Sequence, residues 1–96
     1  MSTIIGDFIR AIFDFIGGVK PYAQLSAELD AKQADGHQHL NWRESIVDLM
    51  KLTGQDSSLD ARARLARELG HDGPFTGTAE QNVWLHARVI EKLERQ

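Results

Sequence analysis

The sequence predicts an all-α fold, a single small domain of five helices. Apolar residues recur at spacings of three and four along most of the 96 residues, which is the period of an amphipathic helix. No stretch alternates apolar and polar residues with the β-branched enrichment of a strand. Capping side chains and glycines separate the apolar stretches. These signals place the helices at residues 3–16, 21–34, 42–53, 58–69 and 78–95.

An apolar stripe, a glycine pair and a proline define the first two helices. Ser2 or Thr3 is suited to cap the first helix, and the Gly17–Gly18 pair ends it. Its stripe consists of Ile5, Phe8, Ile9, Ile12, Phe13 and Ile16, widened by Ile4 and Phe15. Pro21 suits the first turn of the second helix, because its missing N–H would be unpaired there anyway. Gly36 is the expected end of that helix.

The other three helices begin at capping motifs. Asn41 to Glu44 forms a capping-box-like start for the third helix, and Thr78 to Gln81 forms a capping box for the fifth. Ser57 or Ser58 is suited to cap the fourth. Glycines follow the third and fourth helices as stops, Gly54 and Gly70.

The expected core combines the apolar faces of the second to fifth helices. Trp42 and Trp84 are expected to be structural anchors, because a buried tryptophan contributes a large area in a small domain. His86 is expected to form a hydrogen bond at the edge of the core. The predicted core consists of Leu25, Leu29, Trp42, Ile46, Leu49, Met50, Leu59, Leu65, Leu69, Val83, Ile90 and Leu93.

The composition narrows the classes of function. A net charge of −3 and a pI near 5.7 argue against nucleic-acid binding, which usually needs a basic excess. The sequence contains no cysteine, which excludes disulfides, thiolate zinc sites and iron–sulfur clusters. Small secreted domains often need disulfides, so the cytoplasm is the expected compartment. The apolar N-terminus carries Asp7 and Asp14 and lacks a basic leader, so neither a signal peptide nor a membrane span is expected.

Four motifs carry a family resemblance. They are Trp-Arg-x-Ser-Ile-Val-Asp-Leu at residues 42–49, Asp-Ser-Ser-Leu at 56–59, Ala-x-Glu-Leu-Gly at 66–70, and Asn-x-Trp-Leu-His at 82–86. On these motifs the sequence resembles the mostly bacterial family known as domain of unknown function 3597. The resemblance is strong over residues 41–93 and looser over 21–40.

This resemblance implies a five-helix fold whose first helix is set apart by a long flexible loop. In this chain only Gly17 to Lys20 separate the first two helices, so the first helix is expected to dock. We therefore divide the chain into an apolar N-terminal helix, residues 1–18, and a four-helix family-like unit, residues 19–96. Some family members also carry a peptidoglycan-binding LysM module, which implies a link to the cell envelope. The resemblance implies no activity and no functional residues.

Three constellations offer chemistry, and each has a structural interpretation that we favour. His37 and His39 form a His-x-His pair that could bind a metal with a third ligand such as His71, Asp35 or Glu28. Without thiolates or a His-Glu-x-x-His helix we predict a solvated loop and no cofactor.

A Ser-His-Asp set can be composed from the serines at 45, 57 and 58, His86 and the aspartates at 48 and 56. The sequence has no glycine-flanked nucleophile elbow, so we predict no enzyme.

Arginines concentrate in the last third of the chain, as Arg62, Arg64, Arg67 and Arg88. The 62–70 stretch resembles the first helix of a helix-turn-helix, but the following loop, residues 71–77, is too long for that motif. The predicted interpretation is a solvated helix face with pairs such as Asp60 with Arg64.

The wide apolar stripe of the first helix needs a partner surface. It could pack within the chain, pair with a second copy or another protein, or lie in a membrane interface. The membrane is disfavoured because Arg10 is the only basic residue of this helix. Each buried side chain would contribute about 1.5–3 kcal/mol. The candidate partner-binding residues, on this helix and on the 71–77 loop, are Phe8, Ile12, Phe15, Ile16 and Phe75.

The sequence therefore predicts a non-catalytic helical interaction module, linked to the cell envelope through the family resemblance. The alternative is a nucleic-acid-binding, helix-turn-helix-like domain that uses the arginines of the fourth helix.

Overall fold

Five α-helices and no strand make up the part of the chain that the computed structural model describes, residues 3–36 and 38–96, and this confirms the all-α prediction. The helices are α1 (Ile4–Ile16), α2 (Tyr22–Asp35), α3 (Ile46–Leu52), α4 (Leu59–Glu68) and α5 (Ala79–Glu94).

Most helix starts follow the predicted caps. The Thr3 hydroxyl accepts a hydrogen bond from the Gly6 N–H of α1 at 2.9 Å, and Ser2 lies outside the described residues. Ser58 caps α4, and Thr78 forms the predicted capping box of α5. Pro21 lies directly before α2, one position earlier than expected. These contacts are local, so the sequence was sufficient to predict them.

The start of α3 corrects the prediction. Asn41 does bond to Glu44, at 3.0 Å, but this contact closes a separate turn in which the Ser45 N–H donates to the Asn41 carbonyl. Ser45 is the cap of α3, because its hydroxyl accepts from the Asp48 N–H at 3.1 Å. The helix therefore begins at residue 46 and not at residue 42. A second difference is Gly36, which ends α2 in an extended conformation and not in the left-handed one.

The apolar face of α1 is buried within the chain. Its side chains join one continuous core with α2 to α5, and α1 packs mainly against α4 and α2. The buried apolar residues are Phe8, Ile9, Ile12, Phe13, Ile16, Leu25, Leu29, Trp42, Ile46, Leu49, Met50, Leu65, Ala66, Leu85, Val89 and Leu93.

The buried face of α5 also corrects the prediction. Val83 was expected in the core and is 65% exposed, while Leu85 and Val89 are buried. Leu59 on α4 was likewise expected in the core and is 44% exposed. Both faces of α5 carry apolar residues, and the face with the larger aliphatic side chains, which buries more area, turns inward.

Within residues 3–36 and 38–96, none of the helices combines the length and the apolar character that crossing a bilayer requires.

Candidate interaction surface

Only two of the five candidate partner-binding residues keep an accessible surface. Phe8, Ile12 and Ile16 lie in the core, so their side chains are covered by the rest of the chain. Phe15 and Phe75 are partly buried. The candidate residues that remain accessible are therefore Phe15, near the end of α1, and Phe75, in the 71–77 loop.

The end of α4 places His71 next to α5. Gly70 adopts a left-handed conformation with φ of 92°, and the His71 N–H donates back to the Ala66 carbonyl at 3.0 Å. The Gly70 N–H donates to the Arg67 carbonyl at 3.1 Å. These two bonds form a Schellman motif, which closes the helix and fixes the direction of the following chain.

The Gln81 side chain holds the loop that carries Phe75. Its amide Nε2 donates to the Pro74 carbonyl at 3.1 Å, and its Oε1 accepts from the Thr76 N–H at 2.8 Å. The same Oε1 accepts from the Thr78 N–H at 3.2 Å as part of the capping box. One side chain of α5 thus fixes the backbone on both sides of Phe75.

A second set of bonds fastens the end of the loop. The Arg62 guanidinium donates to the Asn82 side-chain oxygen at 2.8 Å and to the Ser57 carbonyl at 3.2 Å. The Asn82 amide in turn contacts the Gly77 carbonyl at 3.4 Å. The half-buried Arg62 of α4 therefore contacts α5 directly and the end of the loop through Asn82.

These supports create an aromatic face made of His71, Phe75, Trp84 and Arg88. The His71 ring stands edge-on to Trp84, with ring centroids 5.0 Å apart, and edge-on to Phe75 at 5.5 Å. Edge-to-face geometry at this distance is the favoured arrangement of aromatic rings. The Arg88 guanidinium lies 5.9 Å from the Trp84 centroid, within the range of a cation–π contact.

The aromatic face is held in place but remains accessible. His71, Phe75 and Trp84 are all partly buried, and Val83 beside Trp84 is largely exposed. Trp84 was expected to be an anchor and contacts the core with part of its surface, whereas Trp42 is fully enclosed. Sequence reasoning identified Phe75 and Trp84 separately. It did not bring them together, because their proximity depends on how α4 packs against α5.

A family model described as "Domain of unknown function (DUF3597)" matches residues 17–96. The chain belongs to this family. The match contains α2 to α5 and the whole aromatic face, and α1 lies before it. Comparison of the chain with curated proteins and with solved structures gave no match.

Three of the four arginines proposed for nucleic-acid contact have partners within the DUF3597 domain. Arg62 fastens the loop, Arg64 pairs with Asp60 at 3.0 Å, and Arg88 pairs with Glu91 at 3.4 Å. The fourth, Arg67, lines a small pocket of about 40 Å³ that His71 also lines. The two carboxylate pairs lower the positive charge that Arg64 and Arg88 could offer to phosphates, whereas the partners of Arg62 are uncharged.

The two histidine candidates that the structure describes, His39 and His71, have different surroundings. His39 is exposed and His71 belongs to the aromatic face, while His37 lies outside the described residues. Glu28 pairs with Lys20 at 3.5 Å. Across residues 3–36 and 38–96, no three His, Asp or Glu side chains are grouped so that they could hold a metal ion.

Most residues of the hypothetical Ser-His-Asp set have structural partners in the DUF3597 domain. Ser45 and Ser58 cap helices. Asp56 accepts the Ser58 N–H at 2.9 Å, and this backbone hydrogen bond lowers the pKa of the Asp56 carboxyl from its usual 3.8. His86 is buried with its Nε2 atom 2.7 Å from the Trp42 carbonyl oxygen.

Proposed function

We propose that this DUF3597 domain is a non-catalytic interaction module that binds a partner protein through the aromatic face. The observation that carries the proposal is that Phe75 and Trp84 are fixed by neighbouring residues and yet only partly buried. His71 joins the partly exposed rings of Phe75 and Trp84 into one surface, and aromatic residues are enriched in protein interfaces.

The composition of the face supports this function. Tryptophan and arginine are enriched among the residues that dominate binding energy in protein interfaces, and Trp84 and Arg88 lie one turn apart on α5.

The rigidity of the 71–77 loop also supports the proposed binding function. Ordering a mobile loop on binding costs free energy, so a loop already held in place binds more tightly. Gln81 fixes the backbone around Phe75, and the Schellman motif fixes His71. The face is therefore preorganised before any partner arrives.

That the domain is not an enzyme and that it lies in the cytoplasm remain predictions. The polar side chains that could have formed a catalytic set instead cap helices or bond to the backbone, which supports a non-catalytic module. The lack of cysteine favours the cytoplasm, and the family resemblance links the module to the cell envelope.

A peptide selection on the full 96-residue chain tests the proposal. A random library displayed on phage is enriched on the wild-type domain, and the enriched peptides are titrated against Phe75→Ala and Val19→Ala. Val19 is 80% exposed and lies outside the aromatic face, so it is the matched control. We expect Phe75→Ala to weaken binding by about 2 kcal/mol, roughly thirtyfold, and Val19→Ala to have no effect.

Two results would contradict the proposal. One is a failure to enrich any binder, or enriched binders that are insensitive to Phe75→Ala in a variant with a native circular dichroism spectrum. The other is salt-sensitive binding of mixed-sequence duplex DNA that is lost in Arg67→Gln, since this would favour the nucleic-acid alternative.

A further inference from the structure

A groove of about 370 Å³ opens where the C-terminal ends of α1, α2 and α3 meet. Two other grooves, of about 290 and 270 Å³, lie on either side of α1. It lies outside the aromatic face and shares no residue with it. Its volume falls at the lower end of the range for small-molecule sites in proteins.

The floor of the groove is apolar. Phe15, Leu40 and Leu52 line it, and all three side chains are partly buried. Phe15 is one of the α1 residues that the sequence predicted to bind a partner. Its side chain is partly buried and lines this groove. Such a floor fits a short alkyl chain or a ring.

The rim of the groove is cationic. The Lys32 ammonium lies 5.5 Å from the centroid of the Phe15 ring, so the charge stands directly over the apolar floor. Lys51 lines the groove from α3. Among the described residues that line the groove, none carries a carboxylate. The groove between α1 and α4 contrasts with it, because Asp7, Asp56 and Asp60 line that one.

From this combination we infer that the groove binds a small carboxylate that carries an apolar chain or ring. The carboxylate meets Lys32 and Lys51, and the apolar part lies on Phe15, Leu40 and Leu52. A few polar groups around an apolar floor are the usual design of a small-molecule site. This inference is independent of the aromatic face and of the proposed partner protein.

The two lysines also have a structural role that the test must separate. Lys32 and Lys51 stand in the last turns of α2 and α3, where a positive charge offsets the partial negative charge of the helix carbonyls. If this were their whole role, replacing them would lower stability and leave ligand binding unchanged.

Octanoate is the probe, with octylamine and 1-octanol as probes of the same chain length and different charge. The readout is the backbone amide NMR signals of residues at the groove and of Trp42. The Trp42 N–H donates at 2.8 Å to the Gln33 side chain, which lines the groove, so this amide reports on its occupancy. The variants are the full chain with Lys32→Gln and Lys51→Gln together, and Lys92→Gln on α5 as the control.

We expect octanoate to shift these amides saturably, with a dissociation constant of about 1 mM. The double variant should bind about tenfold more weakly, because charge-assisted hydrogen bonds are lost, while Lys92→Gln should bind as the wild type does. Octanol and octylamine should bind more weakly than octanoate. The inference is overturned if octanol binds as well as octanoate, if the double variant keeps the affinity, or if no saturable shift occurs up to about 10 mM octanoate.

Discussion

His86 Nε2 lies 2.7 Å from the backbone carbonyl oxygen of Trp42. Because a carbonyl oxygen can only accept, this ring nitrogen carries the proton. Trp42 is held from other sides too, since its N–H donates to Gln33 at 2.8 Å and its indole N–H to Asp30 at 2.9 Å. Two of the family motifs, around Trp42 and around His86, are therefore bonded to each other inside the fold.

Replacing His86 by leucine should destabilise the domain. The variant leaves the Trp42 carbonyl without its partner in a buried position, which costs about 1–3 kcal/mol. Urea unfolding followed by circular dichroism measures this difference in the free energy of unfolding. His39→Leu, at an exposed position, is the control and should change stability by less than about 0.5 kcal/mol. Equal stability of His86→Leu and the wild type would refute the structural role of the bond.

The stability of the domain should depend on pH through the Asp30 carboxyl. Hydrogen bonds from Arg43, and then from Trp42, hold the pKa of Asp30 below its usual 3.8 in the folded state. The ionised form is thus favoured by folding, so its contribution is present above pH 3.8 and lost as the pH falls through the folded pKa.

The matched variant is Asp30→Asn. At pH 7 it should be less stable than the wild type by about 1 kcal/mol or less, because the pair with Arg43 is exposed. The difference should shrink as the pH is lowered from about 5 to about 2. Urea unfolding across this range, with Arg43→Gln as the partner variant, provides the measurement. A difference that stays constant with pH would show that Asp30 does not act through its charge.

Glu68 should anchor the start of α1. Its carboxylate accepts the Ile4 N–H at 2.9 Å and the Ile5 N–H at 2.6 Å, while Thr3 satisfies the next two N–H groups of the helix. Glu68→Ala should therefore lower the free energy of unfolding by about 1 kcal/mol. Hydrogen exchange at Ile4 and Ile5 should become faster, and Glu68→Gln should have a smaller effect. Unchanged exchange at both amides would contradict this anchor.

Replacing Gly77 should lower both the stability of the domain and its affinity for the peptide. Its φ of 79° is unfavourable for a residue with a side chain, and an added Cβ would lie 2.9 Å from the Leu59 side chain. Gly77→Ala should cost about 1–2 kcal/mol. Gly54→Ala is the control, because Gly54 also has a positive φ but has open space around it. Both variants should lose stability in thermal unfolding, and only Gly77→Ala should weaken peptide binding. A Gly77→Ala domain with full affinity would show that the loop position does not matter.

The helix ends could be predicted from the sequence wherever they depend on neighbouring residues. Thr3, Ser58 and Thr78 each bond to an N–H three residues later, and such contacts need no tertiary structure. The start of α3 could not be predicted in this way. The Asn41 N–H donates to the Asp48 side chain of α3 at 2.8 Å. This contact accompanies the turn of residues 41–45, in which the Ser45 N–H donates to the Asn41 carbonyl.

The inward face of α5 could not be predicted because two apolar faces compete. The spacing of Val83 with Ala79, Ala87 and Ile90 is as regular as that of Leu85 with Val89 and Leu93. Periodicity alone does not determine which of the two faces is buried, whereas the volume available for side chains in the core does. The aromatic face could not be predicted from the sequence for a different reason. His71 and Trp84 meet only after α4 and α5 have packed together.

The indole N–H signals of the two tryptophans give the most direct test of the aromatic face as a binding surface. Trp42 is enclosed and bonded to Asp30, whereas Trp84 lies on the face beside His71. On addition of a peptide selected on the wild-type domain, we expect the Trp84 indole signal and the amides of residues 71–77 to shift while the Trp42 indole signal stays in place. An unchanged Trp84 signal at saturation, with shifts confined to another surface, would contradict the proposed function.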